Sequence, residues 1–419
     1  MIKRALLIAV VLSAACDPAD NTEPHPTDAL DFPVSVTADP SGDKVWVVSG
    51  NFDLRFREAA VLAIDVASNT FIDDLAFEVG GFPGELEILA DENDQAKAMY
   101  IPSREDDRLY FATFKDGKPT CPGGTVKGGI MSCPKSGAIE RTKVETKDGS
   151  LEIDMGNDPY GAVIVPARGN PGVTTQPVVP DLLLTGAMAN GRLAMFQLLD
   201  DGTPKLVGGV DLVTGLFGLV TNPKTGRVYA SSKLANIVTV LGISPRLDDD
   251  KPTQDVLDPV NPFITVAGTV GIPEPRATDR GRAIAVSSDG TRLYVAYRAP
   301  DSLVVFDIAD SSGGAVRNRV LQKIALDDDP TDLVVVPQAD GTDFVYVSCF
   351  KADRVEVVDP QDGEIVGGIH VGDGPSGMAL IDNGSVRRLY VALFHGNAVG
   401  VIELDPTSPF FHTEVGEIR

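Results

Sequence analysis

One unit recurs along this chain, most legibly as TRLYVAYRAPDSLVVFDIAD beginning at Thr291. An apolar strand with an aromatic, a polar turn and a second apolar strand ending in Asp leave two faces that the unit cannot bury alone. Copies must therefore stack on one another. Alignment on the aromatic of the second strand gives RVYAS at Tyr229, RLYVA at Tyr294, FVYVS at Tyr346 and RLYVA at Tyr390. Trp46 in VWVVS and Tyr100 in AMYIP fill the same slot, and DLLLTGAM from Asp181 is a copy without an aromatic. Seven such units around one axis predict an all-β chain, a seven-bladed β-propeller of four-stranded antiparallel blades.

Each unit offers four apolar segments bounded by Gly, Pro, Asp and Asn; in the last copy they read GMALI, RLYVALF, AVGVIEL and HTEVGEI. Asp/Gly turns separate the first two strands in PSGDK from Pro40, PKTGR from Pro223 and SSDGTR from Ser287. No amphipathic helix of three turns interrupts them. The 388 residues from Phe32 to Arg419 suit seven blades with insertions, and the repeat runs through the middle without a linker. An inner-strand pattern opens this region and an outer-strand pattern ends it. Ring closure is therefore expected without a strand exchanged between the first and last blades.

The carriers Tyr294-Val295-Ala296 with Val304-Val305-Phe306-Asp307, Tyr346-Val347-Ser348 with Val355-Glu356-Val357-Val358-Asp359, and Tyr390-Val391-Ala392 with Val399-Gly400-Val401-Ile402-Glu403 resemble the bacterial YVTN family of propellers. The resemblance is strong from Gly215 to Arg419 and moderate before it. It implies a seven-bladed propeller of an exported bacterial protein. That family spans surface proteins, partners of redox enzymes and members of no known role, so the resemblance implies no mechanism. The repeat aromatics are expected between sheets, and the repeat Asp residues at turns.

The N-terminus MIKRALLIAVVLSAAC has Lys3 and Arg4, an apolar run and small residues before Cys16, which is the pattern of an export signal over residues 1–15. Its end resembles a lipoprotein lipobox with Cys16 as the lipidated residue, although Leu12 lies one place further from the cysteine than usual. Ordinary secretory cleavage remains the alternative. Residues 16–31, rich in Pro, Asp and Thr, read as a flexible tether. The expected location is the bacterial cell envelope, lipid-anchored on the periplasmic or cell-surface side.

Cys121 and Cys133 flank a Gly/Pro-rich loop and are expected to form a disulfide in an oxidising compartment. Zinc competes poorly, because neither a second cysteine pair nor a histidine pair accompanies them. Cys349, inside a strand pattern, reads as a small buried hydrophobe.

The formal charge is −24, and loss of Lys3 and Arg4 with the signal takes −24 to −26, which excludes nucleic acid as a plausible partner. Yet the loops that follow the second strands carry Arg104, Lys233, Arg298, Lys351 and His395, with Arg55 and Arg57 in the first unit; only the third, at Ala189 and Asn190, lacks a cation. In a propeller these loops share one face with the links between blades. One reading is a basic rim binding a protein or an anionic envelope component. The other, which we favour, is neutralisation within each blade: Arg298 by Asp301, Lys351 by Asp353, Arg104 by Asp106 and Asp107.

No metal or cofactor is expected. Asp327-Asp328-Asp329 and Asp248-Asp249-Asp250 read as solvated turns before they read as Ca2+ sites, since the spacing of a calcium loop is missing. There is neither a Cys-x-x-Cys-His haem motif nor a G-x-S-x-G elbow. A monomeric, non-catalytic binding or scaffold module is the first expectation. The alternative is a metal-dependent hydrolase or lactonase of small molecules in the central channel, where Glu85, Asp332 and Asp373 would have to converge.

Overall fold

The computed structural model describes residues 23–146, 149–166, 181–243, 264–272, 280–309, 317 and 319–419. The signal segment, Cys16 and Asp248 to Asp250 lie outside the described residues. Six four-stranded antiparallel sheets and one larger sheet make seven blades around a channel. Their inner strands are Pro33–Ala38, Glu87–Ala90, Pro159–Val165, Leu216–Thr221, Arg280–Val286, Pro330–Pro337 and Pro375–Asp382, numbered here as blades 1 to 7. Among the described residues, no helix is long and apolar enough to cross a membrane.

The period-two pattern of the strands decides how blades join. Alternate side chains of one sheet face opposite neighbours. Seven apolar clusters result, one in each gap between adjacent blades. Trp46, Tyr100, Tyr229, Tyr294, Tyr346 and Tyr390 are each at most 1% exposed, so the slot that defines the repeat is a packing slot. Their polar ends are also satisfied: Trp46 Nε1 donates to Asp39 at 2.7 Å, Tyr100 Oη to the Gly202 carbonyl at 2.6 Å and Tyr390 Oη to Asn69 at 3.0 Å. The strand-end Asp residues close turns as expected. Asp307 accepts from the Ala309 N–H, and Asp359 from the N–H groups of Gln361 and Asp362. In the turns, Gly42, Gly226 and Gly290 take φ of 71°, 71° and 73°, the left-handed backbone that the Asp/Gly pattern calls for.

The ring closes without strand exchange. Blade 7 takes all four strands from the C-terminal end, Pro375–Asp382, Arg387–Leu393, Ala398–Glu403 and Thr413–Ile418. Side chains bridge the seam instead: the Phe32 N–H donates to Asn397 Oδ1 at 2.7 Å, and Ser376 Oγ donates to the Pro33 carbonyl at 3.2 Å.

Two features depart from the expectation. Blade 1 is not four-stranded: its fourth strand, Phe77–Val79, has three residues and leaves an edge, which Ile130–Ser132 covers by running parallel to it, with Thr125–Lys127 beyond. The Cys121–Cys133 disulfide, Cα atoms 5.6 Å apart, closes the loop that presents this hairpin. Replacing both cysteines by Ser is expected to cost about 2–4 kcal/mol through loop-closure entropy, with faster hydrogen exchange confined to Ile130–Ser132 and Phe77–Val79. Cys349 is buried and free, as expected.

The stretch expected as a flexible tether also departs, in its described residues 23–31. From Glu23 onward the chain packs on blade 1, where His25 is 2% exposed and Leu30 7%. The His25 ring lies 4.7 Å from Phe56, and its Nε2 is 2.8 Å from Ser49 Oγ. Single residues such as His25 and Leu30 find partners without any period to announce them.

Candidate functional site

The face that carries the loops after the second strands and the links between blades opens into a cavity of about 460 Å3 in the channel. Blades 2, 4 and 5 line one side with cations. Arg104 follows the second strand of blade 2, Lys233 that of blade 4 and Arg298 ends that of blade 5, while Arg282 comes from the inner strand of blade 5. Lower in the channel lie three carboxyl groups, Glu85 and Glu87 at the start of blade 2 and Asp332 in the inner strand of blade 6.

The cations are held differently. Arg104 Nε reaches Asp158 Oδ1 at 2.5 Å, across to blade 3. Arg298 pairs with Asp329 and donates to the Pro330 carbonyl at 3.1 Å and Thr331 Oγ1 at 2.9 Å. Lys233 and Arg282 have no ion pair among the described residues, and Arg282 lies over the Phe217 ring at 5.1 Å with its buried Nε unpartnered. Burial, and then the neighbouring cations, push Lys233 below its ordinary value and Arg282 down to about 10. Four cations crowded together on an acidic protein repel one another, and an anion between them would relieve that repulsion.

The carboxyls carry the opposite frustration. Burial, then the charge of Asp332, raises Glu85 well above the ordinary range; burial alone raises Glu87 to about 7 and Asp332 to about 6. Asp332 is the most easily ionised of the three, because its oxygens accept the Leu333 and Met378 N–H groups, both at 2.8 Å. Among the described residues, Glu85 and Glu87 each accept one long backbone bond, from Ala162 at 3.4 Å and Ile164 at 3.3 Å. Of the pair, Asp332 is therefore the readier to ionise and Glu85 the readier to keep its proton.

Of the five rim residues expected from sequence, Arg104, Lys233 and Arg298 line the cavity, and Lys351 and His395 do not. Lys351 is 69% exposed and shares Asp329 with Arg298 at 3.3 Å, while His395 packs against the Phe350 and Phe394 rings. Arg55 pairs with Asp53 outside, and Arg57 with buried Glu78.

Neutralisation is real for Arg104, Arg298 and Lys351, but its partners are not the expected ones. The expected acids are already engaged by backbone and tyrosine donors. Asp107 accepts the Asp158 N–H, Asp106 the Tyr110 hydroxyl and Asp353 the Gly374 N–H.

In the Asp327-Asp328-Asp329 turn, Asp328 is exposed and Asp327, 42% exposed, also pairs with Arg354, while Asp329 is shielded between Arg298 and Lys351. Glu85 and Asp332 converge in the channel; Asp373 does not join them. Among the described residues, no group of three or more His, Cys, Asp or Glu is placed to hold a metal ion.

Sequence reasoning missed Arg282, Glu87 and the aromatic lining of Phe52, Tyr160, Phe217, Phe350 and Phe394. The Phe350 and Phe394 positions, immediately before Lys351 and His395, were the available signal.

Residues 219–381 match the model of the lactonase family described as a 7-bladed beta-propeller. A search of the curated proteins finds no match. Among solved structures, the chain is similar to a candidate 6-phosphogluconolactonase of Bacteroides fragilis, with a TM-score of 0.58, 17% identity and coverage of 95% of this chain and 97% of that one. It is also similar to Kuenenia stuttgartiensis hydrazine synthase, with a TM-score of 0.56, 14% identity and coverage of 90% and 97%. A third is a second candidate 6-phosphogluconolactonase, from Bacteroides uniformis, with a TM-score of 0.56, 13% identity and coverage of 82% and 87%. At these identities the likeness establishes the propeller fold.

Proposed function

We propose that this protein hydrolyses lactones that carry an anionic substituent, with the reaction in the propeller channel. The observation that supports this most is the pairing of Glu85 with Asp332 beneath a cluster of four cations. The lactonase match over residues 219–381 is consistent with it.

In this reading Lys233 and Arg282 take the substrate anion, since Arg104 and Arg298 already face Asp158 and Asp329. Asp332, ionised, accepts a proton from water as the oxygen adds to the lactone carbonyl. The cations then stabilise the oxyanion of the tetrahedral intermediate. Protonated Glu85 donates to the ring oxygen as the C–O bond breaks, leaving a hydroxy acid. Water supplies the new oxygen and both protons are accounted for, so no co-reactant is needed.

The test is proton release in a pH-stat from a panel of sugar-derived and aryl lactones, each with and without a carboxylate or phosphate. Charged members should open with kcat/KM at least about tenfold above their neutral counterparts, and Lys233→Met should abolish that preference, since one tenfold step corresponds to a single charge-assisted contact. If no member opens above the uncatalysed rate, the hydrolase reading is wrong.

A further inference from the structure

The cationic side is only half of the mouth. Blades 6, 7 and 1 complete it with rings: Phe350, Phe394 and Phe52 all line the cavity and are only partly buried, unlike the aromatics of the repeat. Phe52 sits 5.3 Å from Phe394, and Phe394 5.9 Å from Phe350. Phe32 and Phe82 buttress this arc from behind, with Phe32 5.1 Å from Phe394 and Phe82 5.0 Å from Phe52.

The backbone makes concessions to hold these rings. Phe32 and Phe82 both take φ of 49°, a left-handed conformation that costs a bulky residue energy. Gly50 must be glycine, because a Cβ there would lie 2.4 Å from the Phe52 ring. Core packing does not explain rings left facing a cavity. Continuous apolar surface beside water marks a binding site.

We infer that the ligand is an amphipathic anion, with a planar apolar group stacked on Phe350, Phe394 and Phe52 and its carboxylate or phosphate between Lys233 and Arg282. This deepens the proposed function and rests on it for the anion site. An open-chain sugar acid, with a hydroxyl on nearly every carbon, has no planar apolar face to lay on the arc. The cavity, about 460 Å3, falls within the range that encloses a small molecule.

The test is calorimetric titration of the protein with 2-naphthoate, with its neutral isostere 2-naphthol and with 6-phosphogluconate, a polar anion. 2-Naphthoate should bind at least about tenfold tighter than either comparison ligand, because each of those lacks one of the two contacts. Phe350→Leu with Phe394→Leu, which keeps apolar bulk but removes both rings, should weaken 2-naphthoate about tenfold and leave 6-phosphogluconate unchanged. Lys233→Met should weaken both anions.

Tight 6-phosphogluconate binding without 2-naphthoate binding would overturn the inference while leaving the anion site intact. Equal binding of 2-naphthol and 2-naphthoate, unmoved by Lys233→Met, would support the arc but remove the anion site and with it the proposed function. Binding of neither anion would remove both. Unchanged melting temperatures would show that the substitutions act on the site and not on the fold.

Discussion

At pH 8 the Glu85→Gln variant is expected to unfold at a higher temperature than the unsubstituted protein, while its lactone hydrolysis falls by about 10²–10⁴, the usual contribution of a positioned acid or base. Both effects come from one cause. A buried carboxyl whose folded value is raised holds its proton after the unfolded chain has lost it, so folding becomes less favourable as pH rises from the unfolded value to the folded one. For Glu87 that window runs from 4.5 to about 7 and for Asp332 from 3.8 to about 6, and for Glu85 it opens at 4.5 and runs well upward from there. Above its window, a group such as Glu87 lowers stability by an amount on the order of 3 kcal/mol.

Glutamine keeps an acceptor for the Ala162 N–H and has no proton to lose. The variant should therefore gain stability at pH 8 and little at pH 4, measured by thermal unfolding across that range. Hydrolysis by the unsubstituted protein should follow a bell, with its acid limb near 6 where Asp332 ionises; the apparent values belong to the coupled pair. A pH-independent difference in melting temperature would show that Glu85 is ionised in the fold and cannot be the acid.

The ring of blades was legible because its signal is repeated: six aromatic slots and the apolar alternation around them report the same packing. Glu85 and Asp332 could be named as candidates because loop and inner-strand positions on this face can converge on the channel. Their partner Asp373 could not be sorted from them, since loop backbone decides which carboxyl turns inward.

The aromatic arc was hidden for a different reason. The slot held by Phe350 and Phe394, four residues past the repeat tyrosine, holds Arg104, Lys233 and Arg298 in blades 2, 4 and 5. Lys351 and His395 stand one place further along, so reading the loops by charge passed over the residues that line the channel in blades 6 and 7. Ion pairs were illegible likewise: Arg104 finds Asp158 across a blade boundary, where sequence distance says nothing.

The second large effect concerns the N-terminal seam. Arg57→Met is expected to destabilise the fold by about 3 kcal/mol, because it leaves buried Glu78 without its cation, and unpairing a buried charge costs far more than the pair contributes. Glu78 is 0% exposed and joins three segments that are remote in sequence. Its Oε2 accepts from Arg57, its Oε1 from the His25 N–H at 3.1 Å, and its backbone carbonyl from the Cys133 N–H at 3.2 Å. Arg57 also holds residues 23–31 through its own N–H, which donates to the Glu23 carbonyl at 2.8 Å.

Loss of the guanidinium should therefore loosen residues 23–31 and the disulfide hairpin together, visible as faster hydrogen exchange at both, while blades 4 to 6 stay protected. Adding Glu78→Gln to Arg57→Met removes the stranded charge and should recover part of the loss. The double variant separates the two explanations, because a neutral amide needs no cation. If it is no more stable than Arg57→Met alone, the arginine acts through the packing of its aliphatic stem, and the seam is held by apolar contact rather than by charge.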